Sequence, residues 1–429
     1  TNRKKNMKLP VIGFVGMFHL GLNYAVATAS KKFKVICYDE NTTTISLLKK
    51  KKSPIFEKDL EKKIKSNFSN LIFTNDISEL KYCDNVYISE DVSTKKSGKS
   101  DLLSIKNLIN KTIKYLNRNC NLIILCQVPP GFSRSINWKK NQLFYQVETL
   151  IFGEALERAL RPERLIVGTE FKGKKINTNY LKLLKTFNCP LIFMNYESAE
   201  LAKISINIFL ISTVTTTNMI SEVCEKISAD WNDISNALKL DKRIGKYAYL
   251  EPGLGISGGN LERDLYTLKS LQQSNSLNSK FILELDRRSA SRKLWVFNMV
   301  KELKKKYKFK NISILGLAYK TGTHSTKNSP GVQLIQKLKG YKIKAFDPIV
   351  KKINNLKNVK ICKNILEAIQ GCDILIITTP WREFKKINSI FLKKNIKNKI
   401  LIDPYNILDK KKLLKIGINH ISMGNKYDI

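Results

Sequence analysis

The stretch Gly13-Phe14-Val15-Gly16-Met17-Phe18-His19-Leu20-Gly21 decides how this chain folds. It overlaps the apolar run Val11 to Val15, which reads as a strand, and precedes Leu22 to Ser30, which reads as a helix. Lys34 to Tyr38 is the next strand, and Asp39 closes it. Strand, glycine turn, helix and a second strand ending on an acid make a β-α-β unit of the dinucleotide-binding kind. With Gly16 as the first position of G-x-G-x-x-G, Phe18 replaces the second glycine and Gly21 is the third. Gly16 permits the tight turn and Gly21 permits close packing of helix on strand. The missing glycine is the one that lets backbone approach a pyrophosphate, so the motif is degraded there. Asp39 is placed to accept hydrogen bonds from adenosine ribose hydroxyls, which favours NAD over NADP. Gly16, Phe18, His19, Leu20, Gly21 and Asp39 are therefore candidate cofactor contacts.

Outward from this unit, Asn85–Ser89, Leu122–Gln127, Arg164–Gly168 and Pro190–Met194 read as further strands between helical stretches. Such alternation implies a parallel sheet with helices on both faces. From Ser198 to about Leu240 the pattern turns helical, and another helix is expected over Lys280 to Lys305. Alternation then returns, with strands at Asn311–Leu315, Lys342–Phe346, Ile374–Thr378 and Lys399–Ile402. Ile312 to Asp347 repeats the strand–helix–strand–Asp order of the first unit. The expected architecture is α/β: two Rossmann-like parallel-sheet domains joined by a central helical segment. The boundaries fall at 1–196, 197–300 and 301–429.

The length of 429 residues suits two or three domains, and 43% hydrophobic residues suffice for their cores. No uninterrupted apolar run reaches the ~18 residues of a membrane span. The basic start, Thr1 to Lys8, leads into a short strand and not a signal-peptide core, so a cytoplasmic location is expected. Eight cysteines are scattered without a C-x-x-C pair, and there are three histidines. That argues against a zinc site or a disulfide framework. The net charge of +40 raises nucleic-acid binding as one reading. The lysines, however, spread along the whole chain in short runs such as 49–52 and 410–412, with no arginine-rich arm. No specific nucleic-acid partner is expected, and the charge instead steers anionic metabolites toward the protein.

Five more segments occur in a telling order: Val128-Pro129-Pro130-Gly131, then Arg161 to Gly168 (RPERLIVG), then Ser198 to Asn207 (SAELAKISIN), then Glu251 to Asp264 (EPGLGISGGNLERD), and lastly Leu315 to Lys320 (LGLAYK) with Ser329-Pro330. Together they resemble the UDP-glucose/GDP-mannose dehydrogenase family over nearly the whole chain. They match in outline its V-P-P-G turn, H-P-D-R-I-V-I-G strand, E-x-x-K-x-x-x-N helix, N-P-G-P-G-x-G-G-S-C-F-P-K-D loop and G-L-A-F-K…S-P motif. The resemblance implies an N-terminal NAD domain, a central helical dimerisation segment and a C-terminal nucleotide-sugar domain. It implies oxidation of a nucleotide-sugar C6 hydroxyl to a carboxylate with two NAD. In that chemistry a cysteine captures the aldehyde, and the resulting thioester is hydrolysed.

Carried over by position, Lys203 and Asn207 stand four apart on a helix and share one face. An ammonium and an amide there stabilise an alkoxide-like oxygen as hydride leaves. Glu148 matches a glutamate implicated in activating the hydrolytic water, although Val147 replaces the proline before it. Asp264 matches an aspartate that activates water and holds the lysine; a helix-capping role is the plainer alternative. Tyr249, Gly255 and Gly258, in a loop offering backbone N–H groups, join Tyr319 and Lys320 as substrate contacts alongside Glu148, Lys203 and Asn207. The decisive departure is Asn260, which stands where the family has its nucleophilic cysteine; an amide cannot form a thiohemiacetal. Gln127 replaces a threonine near the catalytic water. Asp91-Val92-Ser93 replaces a P-T-P stretch beside the cofactor. Lys327 replaces an arginine and loses its bidentate phosphate fork. Val92, Gln127 and Lys327 are counted with the cofactor contacts. Cys126 is the nearest other thiol, but buried strand cysteines are usually inert.

Two functions remain open on these residues. One is an NAD-dependent oxidation of a UDP-sugar CH–OH group whose four-electron reaction is expected to be slow or absent, the aldehyde hydrate keeping a non-covalent route through water activated by Glu148 and Asp264. The other is a non-catalytic homologue that binds the nucleotide sugar as a regulator or partner subunit, which the degraded glycine motif favours. NAD binding separates them. In either case a homodimer is expected, with no membrane contact.

Overall fold

A computed structural model of the chain describes residues 9–94, 98–353, 356 and 359–427. It divides into two compact units, 1–206 and 207–429. In the first, strands β1 (Ile12–Val15), β2 (Val35–Tyr38), β3 (Leu71–Thr74), β4 (Asn85–Ile88), β5 (Asn121–Ile124), β6 (Leu143–Gln146), β7 (Leu165–Thr169) and β8 (Leu191–Asn195) form one sheet. Their order is β3-β2-β1-β4-β5-β6-β7-β8, and β6 with β7 is the antiparallel pair. The first six positions follow the doubly wound order, whose reversal between β1 and β4 opens a crevice beyond the strand ends.

Alternate residues of the strands feed two apolar layers, as the pleat requires. Ile12, Phe14, Val35 and Cys37 pack with Leu22, Val26 and Ala29 of the helix His19–Ser30. Val15, Ile36 and Tyr38 point the other way, into a layer with Ile105 and Ile109 of the helix Leu102–Ile113. The helix His19–Ser30 is buried from His19 to Ala29. Its run of small and apolar residues leaves no solvated face, which suits a helix wedged into a core.

In the second unit, β9 (Asn311–Leu315), β10 (Lys342–Phe346), β11 (Val359–Ile361), β12 (Ile374–Ile377), β13 (Ile400–Ile402) and β14 (Asn419–Ile421) form a sheet ordered β11-β10-β9-β12-β13-β14. Every pairing in it is parallel. This is the same doubly wound order, so the expected repeat is present and the α/β reading holds.

The helical middle differs in detail from its sequence pattern. The helical stretch expected from Ser198 to about Leu240 is made of two helices, Tyr196–Ile227 and Trp231–Leu240. Ser228 turns left-handed with φ 60°, and Asp230 caps the second helix by accepting from Asn232 N at 2.7 Å. The expected helix Lys280 to Lys305 divides into Lys280–Lys293 and Trp295–Lys306. There the ladder tightens, since Leu294 N donates to Ser291 O three residues back. A helix over Asn260–Ser274 also forms. Its Leu261, Leu265 and Leu268 lie at helical spacing and pack with Ile211, Ile256, Ile282 and Leu285. Among the described residues, Tyr196–Ile227 is the one helix long and apolar enough to cross a membrane. It nonetheless carries the buried polar residues Glu200, Lys203, Asn207 and Glu225.

Candidate functional site

The turn after β1 is closed to any side chain at its two glycines. Gly16 has φ +99°, and its N–H donates to Tyr38 O at 2.9 Å. A Cβ on Gly16 would stand 2.6 Å from Glu90 Oε2 and 3.0 Å from the Glu90 backbone. A Cβ on Gly21 would stand 1.8 Å from Gly16 O. Phe18, at the degraded position, is half exposed and flanks the helix without a side-chain cap. The first-turn amides of that helix thus point into the crevice without a side chain capping them, which is how a helix end receives an anion. Leu20 is buried in the core, and His19 is the first helical residue. The His19 ring stacks on Phe152 at 3.9 Å and lies 3.6 Å from the Glu57 carboxylate, which also accepts from Gly153 N at 3.1 Å.

Asp39 is where the spacing places it. Its Oδ2 accepts from Met17 N at 2.6 Å and its Oδ1 from Asn41 N at 2.8 Å. Val92 and Gln127 are both buried, following the ends of β4 and β5. Glu90 is a neighbour that reading along the sequence missed. Burial, and then the carboxylates of Asp39, Asp91 and Glu40, weaken it as an acid and push its pKa up to about 7. Cys126 is buried and donates to Ile88 O at 3.2 Å; burial holds its thiol far above the usual range. It is not available as a substitute nucleophile.

A second polar cluster in this unit centres on Lys203. Its ammonium lies 2.7 Å from Glu148 Oε1, and both side chains are about nine-tenths buried. Glu148 Oε2 also accepts from Leu150 N at 2.9 Å. One turn earlier on the same helix, Glu200 is fully buried, and its carboxylate accepts from Gly131 N at 2.6 Å and Ser133 N at 2.7 Å. Burial weakens Glu200 as an acid and raises its pKa to about 7. Glu197 pairs with Arg134 on the outer side of the same turn. These two glutamates clasp the Val128–Gly131 turn to the start of the long helix. The only advance signal for Glu200 was its place in the E-x-x-K spacing, which puts it on the face of Lys203.

In the second unit, Asn207 Nδ2 donates to Asp264 Oδ2 at 2.5 Å, and both are buried. Asp264 is not a helix cap: it is the fifth residue of Asn260–Ser274, and Gly259 holds the cap position. Glu148 is an ion partner of Lys203, and Asp264 accepts from the amide of Asn207. Asn260 is the exposed first residue of its helix, and its Oδ1 accepts from Arg263 Nη2 at 3.2 Å.

The glycine loop before Asn260 meets the C-terminal sheet domain within this unit. A Cβ on Gly258 would touch the Tyr319 ring at 2.9 Å, so that ring lies flat against the loop. Burial raises the Tyr319 hydroxyl to about 12. The Lys320 ammonium sits 5.9 Å from the same ring, at the outer reach of a cation–π contact. Asn328 Nδ2 donates to Gly258 O at 3.1 Å, and the Lys327 ammonium lies beside Gly259. Gly255 packs under Ser289, whose hydroxyl accepts from Ile256 N at 2.7 Å. Tyr249 is the outlier: its side chain is exposed, and its carbonyl accepts from Thr217 Oγ1 at 3.3 Å.

The second sheet copies the first turn closely. Gly316 N donates to Phe346 O at 2.8 Å, and Gly331 packs on Gly316 O as Gly21 packs on Gly16 O. The acid differs. Asp347 is buried and takes Leu317 N, Ala318 N and Trp381 Nε1 on Oδ2, and Ile349 N and Val350 N on Oδ1. Five protein donors saturate it, so it is a clamp and not a ribose acceptor.

Residues 10–187 match the NAD binding domain of the UDP-glucose/GDP-mannose dehydrogenase family, 197–288 its central domain and 313–410 its UDP binding domain. The UDP-glucose 6-dehydrogenase of Rickettsia typhi is 32% identical over 441 residues, covering 97% of this chain and 99% of that protein. A Bacillus subtilis UDP-glucose 6-dehydrogenase is 27% identical over 431 residues, covering 96% and 93%. Among solved structures, a UDP-glucose dehydrogenase from Pyrobaculum islandicum superposes with a TM-score of 0.85 at 19% identity, covering 99% of each chain. A UDP-D-ManNAc dehydrogenase from Pyrococcus horikoshii gives 0.82 at 21% identity, covering 96% of this chain and 99% of that one.

Proposed function

Because the chain belongs to the UDP-glucose/GDP-mannose dehydrogenase family, we propose that it oxidises the CH–OH group of a UDP-sugar with NAD and halts after one two-electron step. The observation that carries the second half is Asn260 at the head of its helix, where the family's thiol would stand. An amide forms no covalent adduct with an aldehyde under these conditions.

The first unit fits the cofactor. Its Gly16–Gly21 turn admits no Cβ, the adjoining helix end bears no side-chain cap, and Asp39 closes β2. Gly16, Phe18, His19, Leu20, Gly21, Asp39, Val92 and Gln127 would hold NAD, which when bound supplies the hydride acceptor. As hydride departs from the sugar carbon, negative charge grows on the hydroxyl oxygen. The Lys203 ammonium, paired with Glu148, and the Asn207 amide, aimed by Asp264, stabilise that oxygen. Glu148 is the terminal base: Lys203 gives it one N–H proton and takes the hydroxyl proton in its place, so the ammonium is restored. Gly255, Gly258, Tyr319 and Lys320 would carry the nucleotide and sugar together with Tyr249, and Lys327, beside Gly259, is counted with the cofactor contacts. It supplies point charge to a phosphate without an arginine fork.

The proposal extends to three parts, 1–196, 197–300 and 301–429, and to a cytoplasmic homodimer. The long helix exposes Phe209, Val223 and Ile227 while burying ionic residues, which suits a partner subunit and not lipid. Counting NADH formed per UDP-glucose consumed tests the reaction. One NADH and an aldehyde are expected; two NADH and a free acid would overturn the single-step reading.

A further inference from the structure

Glu90 lies 74 residues from Gly16 in sequence yet stands directly against it. Strands β1 and β4 are parallel neighbours with Val15 opposite Ile88, so the chain leaving β4 passes over the glycine turn. The Glu90 carboxylate is the group nearest to a Cβ built on Gly16. In a doubly wound domain the dinucleotide diphosphate seats over this turn at the helix end. Phe18 has removed one backbone approach there, so the diphosphate depends more on whatever polar group borders Gly16.

Among the described residues, the charged groups that act on Glu90 are of its own sign. Asp39 and Glu40 come from the end of β2, and Asp91 follows it in the chain. The buried thiol of Cys126 approaches from the end of β5. Lys111, from the helix Leu102–Ile113, is engaged with Glu40 at 2.5 Å, and His19 in the same turn faces Glu57 at 3.6 Å. A diphosphate would add negative charge to a corner that already holds four carboxylates.

We propose that Glu90 makes cofactor binding proton-coupled: the dinucleotide diphosphate seats on the Gly16 turn when the Glu90 carboxyl is neutral and donates a hydrogen bond to it. The ionised carboxylate offers no donor and repels the diphosphate. This inference rests on NAD binding at this turn. Burial and the neighbouring acids already hold Glu90 near half-protonation at about pH 7, so the coupling acts within the ordinary working range. If only the neutral form binds, linkage makes the NAD Kd weaken by roughly 30-fold between pH 6 and pH 8.5.

Calorimetric NAD titrations of the full chain at pH 6, 7 and 8.5, in buffers of different ionisation enthalpy, test this. The wild type is expected to lose affinity by that factor and to take up about one proton per NAD at pH 8.5. Glu90→Gln, a neutral isostere with an N–H donor, is expected to bind at pH 8.5 as tightly as the wild type at pH 6, with no slope. His19 is the imidazole of the same turn, so His19→Gln is measured in parallel and is expected to keep the slope. A flat wild-type Kd, a Glu90→Gln variant with an unchanged slope, or a slope lost only in His19→Gln overturns the inference while NAD binding stands. Absence of NAD binding at every pH overturns both. Thermal unfolding of each variant confirms that the compared proteins are folded.

Discussion

Replacing Gly21 by alanine sets two physical effects against each other. Gly21 is the third residue of the helix His19–Ser30, and in a helix alanine is preferred to glycine by about 1 kcal/mol. Propensity alone therefore predicts a more stable protein. The added Cβ, however, would lie 1.8 Å from Gly16 O and 2.5 Å from Ser89 Oγ. That is roughly 1.7 Å short of the ~3.5 Å at which such atoms rest. The obstacle is not a flexible tip: Gly16 O belongs to a turn pinned by Gly16 N to Tyr38 O, and Ser89 Oγ donates to Val15 O at 2.9 Å. Helix and strand must separate, and overpacking of this kind costs about 1–3 kcal/mol or more. With the propensity gain subtracted, a net loss of roughly 2 kcal/mol at the upper end lowers Tm by about 4–8 °C for a unit of this size. Gly173→Ala is the control. Gly173 has φ +88° with open space around it, so alanine there loses only the left-handed penalty of about 1–2 kcal/mol. Scanning calorimetry gives the order, and NAD titration of Gly21→Ala is expected to show at least a tenfold weaker Kd because the turn has moved. A Gly21→Ala protein that melts at or above the wild type would refute the close packing on which the cofactor turn depends.

Other perturbations probe the remaining polar groups. Lys203→Ala is expected to lower kcat by about 10²–10³-fold with a smaller change in KM. It should also destabilise by about 3–5 kcal/mol because Glu148 is left buried without its cation, and Glu148→Gln in the same background should restore part of that loss. Glu200→Ala leaves Gly131 and Ser133 N–H groups buried without an acceptor, at about 1–3 kcal/mol each, and amide exchange there should accelerate. Glu200 titrates near 7 in the folded protein, above the ~4.3 of an unfolded glutamate. Its contribution to stability, measured against Glu200→Gln, should therefore be most favourable below that lower value, fall by about 1.4 kcal/mol per pH unit as pH rises, and level off above about 7. Asn260→Cys is expected to raise the yield from one NADH per sugar toward two, measured by absorbance against sugar consumed.

The parts of this protein legible in advance are those written locally. Gly16, Gly21 and Asp39 act within a single β-α-β unit, so their spacing alone located the turn. Strands such as β4 and β12, buried on both faces, announce themselves as apolar runs. Strand β3 did not, because it sits at the sheet edge with Ile72 exposed and reads as a loop after Asn67 to Asn70. Strand β6 is four residues long and follows the polar stretch Lys139 to Gln142, which masked it. The break at Ser228 depends on one residue adopting positive φ, for which serine gives little warning. At the site, the missed partners are distant in sequence: Glu90 reaches Gly16 only through strand pairing, and Glu148 reaches Lys203 across 55 positions. Composition cannot show such neighbours.

The two sheets make the same turn from the same materials and then part ways at one acid. In both, a glycine amide donates to the carbonyl that ends the neighbouring strand, and a hydroxyl at the end of the next strand, Ser89 or Thr378, donates to the glycine carbonyl. Asp347 lies in a closed corner, where Trp381 and four backbone amides saturate both oxygens. Asp39 is only partly buried and takes one backbone amide on each oxygen, so lone pairs remain for hydroxyls of a ribose. Two further backbone amides and a tryptophan indole are the difference between a ligand acceptor and a structural clamp. On this reasoning Trp381→Phe should not turn the second sheet into a dinucleotide site, because four amides still hold Asp347; it should only loosen that corner by the roughly 1.5–3 kcal/mol of a hydrogen bond to a charged group. Specialisation of the two halves therefore resides in how completely the protein satisfies one carboxylate, not in the fold that presents it.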